Sequence, residues 1–152
     1  MKRKDFIRNS SGILIGSMFA PNLMANVNMS STFNLGVIGT GGRGQGIIKL
    51  LNNITGINVI AACDTLPFRL EEGFELIKSN KNAKAYKDYR KLLENKNIDG
   101  VIISTPLNTH DKIAVDALDA DKHVYCEKTL AKGAAATSRI VSKCKTSNKI
   151  FQ

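Results

Sequence analysis

A glycine-rich segment and one carboxylate have the residue types and the spacing that most directly predict a chemical site. The segment Gly39-Thr40-Gly41-Gly42-Arg43-Gly44 fits the pattern G-x-G-x-x-G, and Asp64 follows its last glycine by 20 residues. Such a segment typically leads from a strand into a helix, whose free N–H groups and positive dipole end bind phosphates. An acidic residue about 20 residues further on binds the ribose hydroxyls. The pattern predicts a dinucleotide site, and the charge of Asp64 favours NAD over NADP because it repels a 2′-phosphate. Arg69, inside the next predicted helix, is not assigned to the cofactor.

Each glycine of the motif has its own predicted task. Gly39 allows the tight turn out of the strand, Gly41 lets the diphosphate approach the backbone, and Gly44 lets the helix pack close to the sheet. Arg43 either adds positive charge near the phosphates or points to solvent. The other interpretation of Asp64 is a helix N-cap or a turn residue.

Strands and helices alternate in the hydrophobic pattern from residue 33 onwards. Short apolar or β-branched runs predict strands at 35–38, 57–63, 83–86, 100–104 and 123–126, with 150–152 opening another. Apolar residues at helical spacing predict helices at 45–53, 67–79, about 89–93, 113–118 and 134–144. This alternation predicts an α/β fold, a Rossmann-type doubly wound parallel sheet with right-handed crossovers.

Polar residues follow two more of the predicted strands. Ser104-Thr105-Pro106 comes after the fourth strand, with Asn108 and His110 shortly beyond, and Glu127-Lys128 comes after the fifth. In an open parallel sheet, ligands bind beyond the carboxyl ends of the strands. We therefore expect both segments to face the same crevice as the glycine motif.

The order of these motifs resembles the N-terminal half of the Gfo/Idh/MocA oxidoreductases. The glycine motif, Asp64, the T-P-x-x-x-H run ending at His110 and the K-H-V-Y-C-E-K run ending at Lys128 stand in that family's order. The resemblance covers about residues 33–152, the predicted domain. It implies a second α/β domain further along the polypeptide, which supplies the homo-oligomer contact and most substrate residues. Because the chain stops as a predicted strand begins, we expect a fragment truncated before that domain.

The resemblance also implies the catalytic residues, Lys128 and His110. Lys128 corresponds to the lysine of the family's E-K-P motif, near the nicotinamide and the substrate hydroxyl, and Glu127 to the acidic residue that helps to place it. The other interpretations are a surface lysine in a loop and a capping or surface histidine. The family has proline after this lysine, where this chain has Thr129. A cis peptide before a residue other than proline costs about 2.5–4 kcal/mol, so we expect a trans peptide and a different aim for Lys128.

The expected cofactor contacts lie at the carboxyl ends of the predicted strands. They are Gly39, Thr40, Gly41, Gly42, Arg43, Gly44, Asp64, Ser104, Thr105, Pro106, Asn108, Glu127 and Lys128. The resemblance implies hydride transfer between NAD and a secondary hydroxyl of a sugar or cyclitol. Two alternatives stay open: an NAD-dependent glycoside hydrolase of the same family, and a non-catalytic NAD-binding protein.

Residues 1–25 have the layout of an export signal. A basic leader precedes a short apolar stretch, residues 12–20, and small residues follow. The stretch is too short for a stable membrane anchor. Residues 3–7 resemble a twin-arginine signal with lysine in the second basic place, so the route, Tat or Sec, stays open. We expect an exported, periplasmic protein, with residues 26–32 as a linker; the alternative is an amphipathic N-terminal helix.

The formal net charge of +9 invites a nucleic-acid interpretation, but the distribution of charge argues against it. Of this charge, +3 lies at the extreme N-terminus, and the remaining +6 is spread over predicted helices and loops without interleaved aromatic residues. The spacing of Cys63, Cys126 and Cys144 gives neither a disulfide framework nor a zinc site. We expect no nucleic-acid partner and no metal, and we expect all three cysteines to be small buried hydrophobic residues.

Overall fold

The computed structural model describes residues 32–152 of the chain. The predicted export signal and residues 26–31 of the predicted linker lie outside the described residues. The first strand begins at Phe33, directly after residue 32.

Five parallel strands form one sheet, as the alternating pattern predicts. They are β1 (Phe33–Ile38), β2 (Ile57–Cys63), β3 (Lys84–Tyr86), β4 (Gly100–Ile103) and β5 (His123–Cys126), in the order β3-β2-β1-β4-β5. Beyond β5, Phe151 makes a parallel bridge with Val124, where the sequence predicts a further strand. β2 and β3 lie on one side of β1, whereas β4 and β5 lie on its other side, so the strand order switches between β1 and β4. Ligands of open α/β sheets bind at such a switch point.

Helices cover both faces of this sheet. They are α1 (Gly42–Leu51), α2 (Pro67–Glu75), α3 (Tyr89–Leu93), α4 (His110–Asp119) and α5 (Ala134–Thr146). α1 begins three residues earlier than predicted, inside the glycine motif. α2 ends four residues before the predicted residue 79, because the backbone there turns more tightly, with Ile77 N–H donating to the carbonyl of Phe74. No helix within residues 32–152 is long and apolar enough to cross a membrane.

The core consists of two apolar layers, one on each face of the sheet. Val37 and Ile102 belong to the layer under α1 and α2, whereas Ile38 and Ile103 belong to the layer under α3, α4 and α5. Neighbouring residues of a strand point to opposite faces, so a strand that is covered on both sides must be apolar throughout. Val101 is buried as well. The apolar runs in the sequence therefore form the central strands.

Two of the three cysteines follow the prediction and one departs from it. Cys63 and Cys126 are buried, and burial raises the pKa of the Cys63 thiol to about 12 and that of the Cys126 thiol to about 11. Cys144 is only half-buried, because α5 is an outer helix whose inner face is covered while its flanks reach solvent.

Candidate functional site

The glycine motif forms a tight turn that leads from β1 directly into α1. Gly39 has φ +92°, and a Cβ on it would lie 2.7 Å from the carbonyl carbon of Ser104. A Cβ on Gly44 would lie 2.0 Å from the carbonyl oxygen of Gly39. Residues with side chains rarely adopt a positive φ, and neither site has room for a side chain. The two outer glycines therefore set the close approach of α1 to the end of the sheet.

The N-terminus of α1 is open. Its N-cap, Gly41, has no side chain to bond the first amides. Within residues 32–152, the N–H groups of Gly41, Gly42 and Arg43 have no acceptor, and a Cβ on Gly42 would meet nothing within 4 Å. Free N–H groups at the positive end of a helix dipole bind anions. The donors present here fit the diphosphate of a dinucleotide.

Asp64 joins this loop to the end of β2. Its Oδ2 accepts a hydrogen bond from Thr40 N–H at 2.9 Å, and its Oδ1 accepts one from Leu66 N–H at 2.9 Å. The N-cap of α2 is Leu66, so Asp64 is a turn residue and not a helix cap. Each carboxylate oxygen can accept more than one hydrogen bond, so these contacts leave capacity for ribose hydroxyls.

Arg69 lies beside the loop, although the sequence did not lead us to assign it. Its Nη1 is 3.6 Å from the place a Cβ would take on Gly41, and its carbonyl accepts a hydrogen bond from the buried Thr40 hydroxyl at 2.8 Å. Pro67 starts α2, so Arg69 stands in the first turn. Side chains of a helix lean toward its N-terminus, which directs the Arg69 side chain to the glycine loop. The position of Pro67, which marks the start of α2, could have indicated this contact from the sequence.

Gln45 is a second residue that the sequence pattern did not indicate. Its Nε2 donates to the carbonyl of Thr40 at 3.0 Å and to Glu72 Oε2 at 2.9 Å. It braces the loop from α1, while the Thr40 side chain is packed under α2 beside Gly73. Thr40 is thus fully buried, with its N–H bonded to Asp64 and its hydroxyl to the carbonyl of Arg69.

The end of β4 contacts the same loop. The Ser104 hydroxyl donates to the carbonyl of Gly39 at 2.6 Å, which ties β4 to β1 at the switch point. Thr105 is half-buried, and its hydroxyl lies 2.8 Å from that of Thr109. Pro106 and Asn108 are exposed on the short turn that follows. The structure thus brings the β4 turn and the glycine loop together.

His110 is buried between two turns, with 2% of its surface exposed. Its Nε2 lies 2.8 Å from the carbonyl oxygen of Thr105, and its Nδ1 lies 3.1 Å from that of Thr129. The N-cap of α4 is Thr109, so the interpretation of His110 as a cap or surface residue is wrong. A neutral imidazole donates from one nitrogen only, so it can hydrogen-bond one of these two carbonyls. An imidazolium donates from both nitrogens and can hydrogen-bond both carbonyls.

The peptide between Lys128 and Thr129 is cis, so the expectation of a trans bond is wrong. Tertiary contacts hold the backbone of this turn. The carbonyl of Thr129 faces the His110 ring, and the carbonyl of Leu130 accepts the Cys126 thiol at 3.9 Å. The backbone at position 129 is thus cis, as the resemblance implies for the family, although the residue is threonine.

Arg43 pairs with a carboxylate, a contact that the sequence did not indicate. Its Nε and Nη2 both donate to Oε1 of Glu127, at 2.8 and 2.5 Å. The side chain of Glu127 is 6% exposed and that of Arg43 64%. The guanidinium holds the pKa of the Glu127 carboxyl below its usual range, although burial opposes this. Within residues 32–152, the ammonium of the exposed Lys128 has no hydrogen-bond or ion-pair partner.

A cleft of about 1020 Å³ lies over the carboxyl ends of β4 and β5. The predicted residues that line it are Arg43, Ser104, Thr105, His110, Glu127 and Lys128. Five further lining residues were not among the predicted contacts, and they are Tyr125, Cys126, Leu130, Phe151 and Gln152. Asp64 stands apart from this cleft, at the other end of the glycine loop. The glycine loop thus lies between Asp64 and this cleft.

Comparison with known proteins gives consistent matches. Residues 33–152 match the family model described as an oxidoreductase family with an NAD-binding Rossmann fold, Gfo/Idh/MocA. Inositol 2-dehydrogenase of Salmonella paratyphi B is 36% identical over 111 residues, which are 72% of this chain and 32% of that protein. A glycosyl hydrolase family 109 protein of Shewanella woodyi is 31% identical over 146 residues, 92% of this chain and 30% of that one.

A solved structure supports the same match. The myo-inositol dehydrogenase from Lactobacillus casei, crystallised with NAD(H) and myo-inositol, is 35% identical with a TM-score of 0.71. The match covers 80% of this chain and 36% of that one. The chain therefore spans about a third of the length of the relatives it matches.

Proposed function

The chain belongs to the Gfo/Idh/MocA oxidoreductase family, and on that premise we propose that it is the NAD-binding part of a dehydrogenase acting on a cyclitol or sugar. The observation that carries the proposal is the open N-terminus of α1, with the carboxylate of Asp64 at the end of the next strand. Calorimetric titration of the chain with NAD and NADH tests it. The absence of any heat of binding up to millimolar cofactor would contradict it.

The N–H groups of Gly41, Gly42 and Arg43 would hold the diphosphate, and Asp64 would hold the adenosine ribose. The turns at Thr105 and Lys128 would enclose the other end of the dinucleotide. Pro106 and Asn108, exposed on the first of these turns, and Ser104, at its start, complete the proposed contacts.

Lys128 is the proposed proton acceptor. The bound nicotinamide supplies the hydride acceptor in alcohol oxidation, and its reduced form the hydride donor in the reverse direction. Oxidation of a secondary hydroxyl also releases a proton, which a lysine amine can take up in its neutral form. The Lys128 side chain borders the cleft with its ammonium free among the described residues, while the carboxylate beside it is occupied by Arg43. His110 contributes by holding the two turns that enclose the cleft.

The choice of NAD over NADP rests on Asp64, with Arg69 acting against it. The carboxylate repels a 2′-phosphate, whereas the guanidinium next to Gly41 would attract one. We expect Asp64→Ser to shift the ratio of NADPH to NADH affinity toward NADPH by about tenfold or more, which is 1.4 kcal/mol. Arg69→Met in the same background should reverse part of that gain. A ratio that stays unchanged in Asp64→Ser would refute the assignment.

The glycoside hydrolase alternative has its own support, the match over 92% of this chain to a glycosyl hydrolase family 109 protein. The two activities differ in their use of cofactor. A dehydrogenase given inositol and NAD accumulates NADH in proportion to product. A hydrolase releases free sugar from a glycoside without net formation of NADH. Running both assays on the full-length gene product, with Lys128→Met as the matched control, separates the two candidates. Turnover in neither assay would favour the non-catalytic alternative.

Export to the periplasm and homo-oligomer formation also remain proposals. Cell fractionation with and without residues 1–25 tests the first. Sedimentation of the full-length gene product tests the second.

A further inference from the structure

Arg43 and Glu127 join two parts of the site that the sheet keeps apart. Arg43 is the second residue of α1, which follows β1, and Glu127 is the first residue after β5. β4 lies between these two strands. Both donors of Arg43 converge on Oε1 of Glu127, and Oε2 of Glu127 accepts the Lys128 N–H at 3.3 Å. One chain of contacts therefore runs from the glycine loop to the backbone of Lys128.

We propose that the side chain of Arg43 has a positioning role: it works through Glu127 to place the Lys128 turn and does not bind the cofactor phosphates, which contact only the backbone N–H of this residue. This inference rests on the proposed function. The glycine loop already offers the N–H groups of Gly41 and Gly42 to the diphosphate. The Arg43 side chain reaches across the end of β4 to the carboxylate beyond it.

The burial of Glu127 explains why Arg43 keeps to this partner. The Glu127 side chain is 6% exposed. If Arg43 turned to a phosphate, this carboxylate would lose its cationic partner in a site that water hardly reaches. Only the carboxylate of this pair is buried, since the Arg43 side chain is 64% exposed, and a buried carboxylate left without its partner is unfavourable. The lowered pKa of Glu127, caused first by the Arg43 hydrogen bond, agrees with this pairing.

Binding of a whole cofactor and of half a cofactor distinguishes the two roles of Arg43. ADP carries the adenosine and the diphosphate but has no nicotinamide end, whereas NADH has both. We expect Arg43→Met and Glu127→Gln each to weaken NADH binding to the chain by at least about fivefold, the lower end of typical coupling between sites. ADP binding should not weaken in either variant. The double variant should bind NADH no worse than the single variants, because both remove the same interaction.

Lys49→Met is the matched control, since it removes one positive charge from the exposed surface of α1 without touching the pair. Urea unfolding of every variant shows whether it folds; if Arg43→Met does not, Arg43→Lys keeps the charge and loses the two-donor contact. Equal weakening of ADP and NADH in the Arg43 variant would overturn the proposal and make Arg43 a phosphate ligand. Unchanged NADH binding in Glu127→Gln would overturn it as well. If the unaltered chain bound neither ligand, the proposed function itself would fail, and this inference with it.

Discussion

Alanine substitution at two glycines of the same helix should change stability in opposite directions. Gly44 and Gly46 both lie in the first half of α1. A Cβ on Gly44 would be 2.0 Å from the carbonyl oxygen of Gly39, whereas a Cβ on Gly46 would meet nothing within 4 Å. Real Cβ atoms essentially never approach closer than 3.0 Å, so Gly44→Ala must move the start of α1 by at least 1.0 Å from the β1 turn.

The magnitudes follow from these two surroundings. The atom that a Cβ on Gly44 would meet is backbone, so no side chain can rotate away, and overpacking of this kind costs about 1–3 kcal/mol. Alanine in place of an exposed helical glycine gains about 0.5–1 kcal/mol. Gly46→Ala shows that gain without the clash. Because the gain is common to both variants, we expect their free energies of unfolding to differ by the cost of the clash, about 1–3 kcal/mol.

Urea unfolding followed by circular dichroism measures this difference, and NADH titration measures its effect on the site. Gly44→Ala should weaken NADH binding by about tenfold or more, since 1 Å of misplacement is costly at a preorganised site. Gly46→Ala should bind NADH like the unaltered chain. If Gly44→Ala were as stable as Gly46→Ala and bound NADH normally, the close contact between α1 and the β1 turn would be refuted.

Two further predictions test burial and charge elsewhere in the domain. A thiol reagent should modify the half-buried Cys144 before Cys63 and Cys126, whose burial raises their pKa to about 12 and 11; mass spectrometry of the partly labelled chain measures the order, and equal rates would contradict it. The hydrogen bond from Arg139 lowers the pKa of Asp111 below its ordinary value of 3.8. The stability that this pair adds is therefore present above pH 3.8 and is lost as the pH falls through the lowered pKa of the folded state. Asp111→Asn should therefore cost under about 1 kcal/mol at neutral pH, because Arg139 is mostly exposed, and unfolding curves should show no cost below the lowered pKa.

The candidate site was predictable where a local rule fixes a residue. Gly39 needs a positive φ, and Gly44 has no room for a side chain. Asp64, Thr105 and Lys128 follow strands, and parallel strands bring their carboxyl ends to one edge. These inferences need only residue type, spacing and the direction of the strands. The structure places all five of these residues along that edge.

The partners of the longer polar side chains were not predictable. Arg43 reaches Glu127, 84 residues away, only because β5 is two strands from β1 in the sheet. His110 contacts the carbonyl of Thr129 because α4 packs beside the turn after β5. The sequence alone allowed Arg43 to bind phosphate or face solvent. It did not indicate the pair with Glu127, in which the Arg43 side chain stays 64% exposed.

The sequence by itself determined the alternating α/β architecture, the glycine loop and the strand ends that carry the polar residues. These features follow from local backbone preferences and from the period of apolar residues, which neighbouring residues decide. Tertiary structure alone decided the Arg43–Glu127 pair, the buried setting of His110 and the cis peptide after Lys128. Each of these depends on which distant elements pack side by side, because flexible polar side chains and loop peptides take the conformation that their neighbours stabilise.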